Sequence, residues 1–273
     1  GLKKGGCTAV SNANAAFEND DVVIRTLEYA AGLGLTVVFY AEEPQIAKDG
    51  CAHEGFIASR QGLPMIPAIA ETVAIAKYLL MIEATGVRAH FGLLSCGASV
   101  ELIRAAKNKG LPVTADVAMH QLHLTEELTD GFNSLAHVRP PLRSIQDKEL
   151  LHEGVKDGVI DAICTHHEPL SSSAKMAPFA ETQSGITAFD TYVGLGIQLI
   201  QEGVFEPLEW VEKVTSTPAA VANMTARWQQ ESGWVLVDPT LTWTVSKDTI
   251  ISQGKNTPLL GQQLTGKVLS TFV

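Results

Sequence analysis

The sequence lacks any uninterrupted apolar run of about eighteen residues, so no membrane span is expected. It lacks a Lys/Arg cluster as well: 20 Lys+Arg stand against 30 Asp+Glu, a net charge of −10. That balance argues against nucleic acid as a partner. Cysteine is scarce, and Cys7, Cys51, Cys96 and Cys164 form no CxxC pair. Three of them sit in or beside strand-like apolar runs, where reduced, buried thiols are expected, and a cytoplasmic location follows as the default. Aromatics are only 6% of the residues, and Trp228, Trp234 and Trp243 read as core or interface anchors rather than as a ligand cage. The opening "GLKKGG" leads straight into domain-like sequence, so no signal peptide is expected.

What is present is a globular α/β chain. With 273 residues, 45% of them apolar and 18% charged, it has ample core and surface to spare for burial against a partner, including a second copy of itself. Apolar, β-rich bursts at 7–13, 35–42, 87–94, 111–119 and 159–167 alternate with helical patterns at about 21–32, 67–85, 97–109, 146–157 and 188–203. In the second helix, Ile69, Val73, Ala76, Leu80 and Ile82 keep a 3.6-residue period, with Glu71 and Lys77 off that face. Gly86 and Gly110 fall where helix ends favour a left-handed residue, and "END" (18–20) can cap the 21–32 helix. The bursts read as parallel strands buried on both sides. No GxGxxG follows the first burst, which favours a barrel over a nucleotide-binding open sheet. Beyond residue 230 the pattern changes to short strands with Gly/Pro/Asn turns, a small β appendage. The expected division is residues 1–228 as a partial (β/α)8 TIM-type barrel and 229–273 as the appendage. Only five βα units can be counted, so the barrel's N-terminal strands are expected outside this sequence.

In parallel α/β folds chemistry gathers at the C-terminal strand ends. Here those ends carry Asn12 and Asn14, then Glu42 and Glu43, then His90 to Leu94, then Asp116 and His120, and finally His166, His167 and Glu168. A hydrolytic metal site needs three or more converging ligands and an open position for water. The "HFGLLS" end offers only His90, three residues before the expected ligand position. The signal is partial.

"LPVTADVAMHQLHLTEEL", "HVRPPLRSIQDKELLHEGVKDGVIDAICTHHEP", "AKMAPFAETQSGI" and "KNTPLLGQQLTGKV" resemble, in order and spacing, the dihydroorotases of the amidohydrolase superfamily. The resemblance runs from about residue 7 to the end. It implies a TIM barrel in which zinc-bound hydroxide opens dihydroorotate or, in reverse, carbamoyl aspartate is cyclised. The family's HxHxR segment has no counterpart here. By position, Glu43 of "YAEE" stands for a metal-binding aspartate, and Leu93 replaces a zinc histidine. His120 keeps a histidine. His166 replaces the aspartate that is both ligand and general base, Leu170 replaces a substrate-holding histidine, and Arg139 replaces a substrate-contacting asparagine.

Leucine cannot donate an electron pair to zinc, and a neutral imidazole at 166 removes a negative charge and a carboxylate base. The resemblance is closest to the non-catalytic dihydroorotase homologues that assemble with bacterial aspartate carbamoyltransferase. It therefore implies a catalytically silent scaffold in pyrimidine biosynthesis, with no cofactor. The alternatives are an active zinc-dependent dihydroorotase with an altered ligand set and a small-molecule sensor that kept the pocket. His120 reads either as a buried supporting histidine or as a vestigial ligand. His167 joins Arg139 and Leu170 as remnants of the substrate pocket. Glu42 and Glu43 read as one solvated and one hydrogen-bonded carboxylate, and Arg139 as a surface or interface arginine. The serines of "LSSSAK" (170–175) lack a triad partner, so no nucleophile is assigned there.

Overall fold

Five parallel strands lie side by side in the order β1 (Ala9–Ser11), β2 (Thr36–Tyr40), β5 (Ala89–Gly92), β6 (Val113–Ala118) and β7 (Ala162–Cys164). Each pairing is parallel, with Val37 opposite Ala89, Ala89 opposite Val113 and Asp116 opposite Ala162. The order never reverses, so the sheet has no topological switch point. Each crossover simply steps to the next strand, as in a barrel wall. The computed structural model describes residues 1–273 except 14, 16, 18, 227, 228, 230–232 and 273. Asn14, Trp228 and the 228/229 boundary lie outside the described residues.

The crossovers are α1 (Asp20–Leu33), α4 (Ile69–Thr85), α5 (Gly97–Asn108) and α6 (Ile145–Lys156), with α7 (Phe189–Gln201) and α8 (Pro207–Val214) after β7. Local chemistry starts and stops them. Asn19 accepts from the Val22 amide at the head of α1, and Ser144 accepts from the Asp147 amide at the head of α6. Gly86 ends α4 at φ 65°, a conformation that side chains with a Cβ resist. One face of the sheet packs against these helices: Val37, Phe39, Ala89, Phe91, Val113, Ala115 and Val117 meet Leu27, Ile75, Ile82, Ile103 and Leu151 in one buried cluster.

The other sheet face corrects the expectation of strands apolar on both sides. It carries Tyr40, His90, Thr114 and Asp116, because alternate residues of a strand face opposite ways. Helix α4 brings a second correction. It buries Ala70, Glu71, Ala74, Ile75, Tyr78 and Ile82, while Ile69 and Val73 face outward and Leu80 is 70% exposed. A helix apolar nearly all round supports two phases of the same period, and the buried phase is the one that includes Glu71.

Between β2 and α4 the chain detours through α2 (Pro44–Ala47), β3 (Ala52–His53), α3 (Phe56–Gln61) and β4 (Met65–Ile66). Strands of two residues leave no periodic trace in sequence, so this parallel pair was not foreseen. Its turn is tight at Gly50, where a Cβ would sit 2.5 Å from both the Met65 carbonyl oxygen and Ile66 Cγ1. Gly50→Ala is therefore expected to cost about 1–3 kcal/mol by overpacking against backbone. Urea denaturation should show a lower midpoint at an unchanged slope.

The last elements, β8 (Trp234–Thr244) and β9 (Gln263–Phe272), form one long antiparallel ribbon rather than several short strands. The ribbon packs on α7, where Gly194 and Ile197 meet Leu264 and Gly266. Trp243 donates to the Gly266 carbonyl at 3.0 Å, an anchoring role, whereas Trp234 is exposed and lies outside the core. The described cysteines are all unpaired. No helix among the described residues is long and apolar enough to cross a membrane.

Candidate functional site

Strand β7 ends at Cys164, and His166 takes a left-handed φ of 45° just beyond it. That bend separates the two histidines. The His166 ring turns toward His120, with centroids 5.6 Å apart and planes at 25°. The His167 ring turns the other way. Its Nδ1 accepts from the Ala188 and Phe189 amides at 3.1 and 3.2 Å, and the ring stacks on Phe189. His167 thus satisfies orphan amides at the head of α7, and that bond fixes its Nδ1 as an acceptor.

His120 is 2% exposed, and neither of its ring nitrogens has a hydrogen-bond partner. Burial, then the neighbouring His166 and His123, pushes its pKa down to about 3, so it is neutral. His166 Nδ1 is likewise buried without a partner, while its Nε2 lies 3.6 Å from Glu168. Two histidines therefore face one another with free lone pairs.

Among the described residues no third donor converges with both rings. The backbone at Leu93 adopts φ 62°, and its amide donates to Asp116 Oδ1 at 2.9 Å. Glu43 bonds Lys77 at 3.1 Å. Arg139, rather than lying loose on the surface, engages Glu42 through Nε at 3.1 and 3.2 Å and also through Nη2. It donates to the Gly50 carbonyl as well, at 3.3 Å. Neither glutamate is the solvated group the sequence suggested, since each neutralises a cation. Arg139 and Gly50 line a cavity of about 370 Å³ at these strand ends. Leu170 sits apart, with its amide on Asn256 Oδ1 at 2.7 Å. Asn12 bridges to both polar groups of the Tyr40 backbone. Among the described residues no three His, Cys, Asp or Glu groups converge as a metal site.

One pair was missed as a pair. His90 and Asp116 share the inner sheet face, Asp116 lying two residues past Thr114, the register partner of His90, with His90 Nε2 2.8 Å from Asp116 Oδ2 and Nδ1 2.8 Å from Thr114 Oγ1. Burial opposes ionisation of Asp116, but hydrogen bonds from His90 and the Leu93 amide outweigh it. The carboxyl is held below its ordinary range. The β5–β6 register was the signal that could have found this pair. Zinc is thus poorly matched by these residues: two imidazoles are free, Glu43, Glu42 and Asp116 are committed to Lys77, Arg139 and His90, and Glu168 lies on the Nε2 side of His166 alone.

The model of the dihydro-orotase-like family matches residues 1–99. A dihydroorotase-like protein of Pseudomonas aeruginosa is 42% identical over 275 residues, covering 100% of this chain and 65% of its own length. A dihydroorotase of Trichlorobacter lovleyi is 35% identical over 276 residues, again covering 100% of this chain and 65% of its own length. The crystal structure of dihydropyrimidinase from Brevibacillus agri NCHU1002 superposes with a TM-score of 0.84 at 20% identity, over 99% of this chain and 63% of that one. The chain thus spans just under two thirds of the length of the relatives it matches. Its parallel sheet, outer helices and C-terminal ribbon share the fold of that hydrolase.

Proposed function

The chain belongs to the dihydroorotase-like family of TIM-barrel amidohydrolases, and on that premise we propose that it is part of a subunit that does not turn over the cyclic amide. In this reading the barrel serves as scaffold for aspartate carbamoyltransferase in pyrimidine biosynthesis, in the cytoplasm and without zinc. The observation that carries it is the donor set. The family's zinc-histidine position is Leu93, its amide held by Asp116, and the remaining imidazoles of His120 and His166 find no third ligand among the described residues. Hydrolysis by a metal-bound hydroxide needs a polarising ion and a base; here the carboxylate base is replaced by His166, while Glu42 and Glu43 are held by Arg139 and Lys77. The outward Ile69, Val73 and Leu80 of α4 support the scaffold role, since they offer apolar surface for a partner to cover.

The second reading, an active zinc enzyme with an altered ligand set, is favoured by one observation: the buried, unpartnered nitrogens of His120 and His166. The discriminating measurement is turnover of the full-length protein with excess zinc, in both directions between carbamoyl aspartate and dihydroorotate. No rate above background is expected from protein shown to be folded. Leu93→His with His166→Asp is expected to add metal binding without restoring turnover, because Arg139 and Leu170 still replace substrate contacts. A zinc-dependent rate in the unmodified protein would overturn the scaffold reading.

A further inference from the structure

The segment after β7 and the turn after β8 close over a cavity of about 450 Å³ whose lining includes Lys175, Lys247, Lys255, Ser171, Ser172 and Asn256. Three ammonium groups on one cavity are unusual in a chain of net charge −10, where chance placement favours acids. The lysines that form salt bridges among the described residues are Lys77 and Lys107; none of the three cavity lysines has a described carboxylate in salt-bridge reach. Asp248 follows Lys247 in sequence but forms no salt bridge with it. Glu168, the acid whose field reaches Lys175, lies nearer to His166.

Lys175 is the informative member. It is only 7% exposed, and its Nζ donates to one acceptor, the His137 carbonyl at 2.9 Å. An ammonium carries three N–H donors, so two remain beyond that bond. Burial pushes its pKa down to about 8, against the opposing field of Glu168. Lys255 likewise spends one donor on a carbonyl, that of Ile250, and Lys247 is exposed at the mouth. The floor is rigid. Asn256 accepts from the Leu170 amide and the Thr187 hydroxyl, and donates to the Glu168 and Gly185 carbonyls, which leaves it no freedom to turn.

We propose that this cavity binds a compact polyanion, a phosphate-bearing or polycarboxylate small molecule, clamped between Lys175, Lys247 and Lys255. Charge-assisted bonds from several ammonium groups to one anion are strong and specific to charge rather than to shape. The site lies between the strand-end loop and the turn that follows the ribbon's first strand, so an occupant would tie the two together. Leu170 lines it too, so the site borders the substrate-pocket remnant.

The test is isothermal titration of the full-length protein with inorganic pyrophosphate and, separately, with citrate, at low ionic strength. Saturable one-to-one binding of at least one of them is expected, weakening as salt rises. Lys247→Gln with Lys255→Gln changes only exposed and half-buried side chains, so the fold is kept; affinity is expected to fall at least about tenfold, the loss of about 1.4 kcal/mol. Pyrophosphate alone binding assigns a phosphate ligand, and citrate binding equally well or better assigns a polycarboxylate. No binding of either probe, or binding unchanged in the double variant, overturns the proposal.

Discussion

Replacing Arg143 by methionine is expected to destabilise the fold by about 3–5 kcal/mol, because it strands a buried carboxylate. Arg143 is 3% exposed. Its Nε donates to Ser95 Oγ at 3.0 Å, and its Nη1 to the Ile66 carbonyl at 2.7 Å and to His53 Nδ1 at 3.1 Å. Ser95 in turn donates through its amide, at 3.0 Å, and through its hydroxyl to the buried Glu71 carboxylate, whose Oε2 lies 4.0 Å from Arg143 Nη2. The guanidinium thus joins three pieces of chain: the head of α4, the loop after β5 and the β3–β4 detour. Methionine fills much of the volume but supplies no donor. Glu71 then keeps a charge with no counter-ion, and the Ile66 carbonyl loses its partner. Glu71→Gln in the Arg143→Met background is expected to recover part of the loss, since it removes the stranded charge. A double-mutant cycle by urea denaturation measures that coupling. If the losses simply add, Arg143 acts through packing alone and the charge argument fails.

The same network shows where sequence reading reached and where it stopped. Alternation of β-rich bursts with 3.6-period segments was enough to place five strands and their helices within a few residues, because local patterning and tertiary burial agree there. At α4 they part. Ile69, Val73 and Leu80 look like a core stripe, yet Glu71 is inside because Ser95 and Arg143 satisfy it, and no local rule anticipates a partner 72 positions later. The site divides similarly. Positions of His120, His166 and Leu93 could be read from motif order. That Arg139 would close on Glu42, or that His167 would cap α7, required the chain to be folded, since those partners are 97 and 21–22 residues apart. The polyanion cavity is the extreme case: Lys175, Lys247 and Lys255 are ordinary lysines until the turn after β8 is brought onto the loop after β7.

Lowering the pH from 6.5 to 5 is expected to remove roughly 4 kcal/mol of stability through His53, His123 and His137 alone, three of the histidines that the folded chain holds neutral. Burial, reinforced by the charge of Arg143, pushes the His53 pKa down to about 4, consistent with its Nδ1 accepting from that guanidinium. Burial lowers His123 to about 4 as well, although its Nε2 donates to the Leu195 carbonyl at 3.2 Å. His137 is pushed to about 4 by burial and then by Lys175 and Arg139, with Nδ1 2.7 Å from Thr182 Oγ1 and the ring stacked on Phe179. The sign is set by which state binds protons. Above pH 6.5 these rings are neutral in both states and contribute no pH dependence. Below it the unfolded chain takes up protons that the native state refuses, so stability falls until the folded groups titrate near pH 4. A fully buried histidine loses about 1.4 kcal/mol per pH unit in that window, hence about 2 kcal/mol for His137 by pH 5. His53 and His123, half-buried and partly screened by solvent, contribute roughly half as much each. Against a total of about 5–15 kcal/mol for a domain, that is enough to bring unfolding into a mildly acidic range. Urea midpoints measured between pH 7.5 and about pH 4.5 test this. His137→Gln should make the slope shallower by about one proton, while a midpoint flat from pH 7 to 5 would show that these rings protonate freely in the native state.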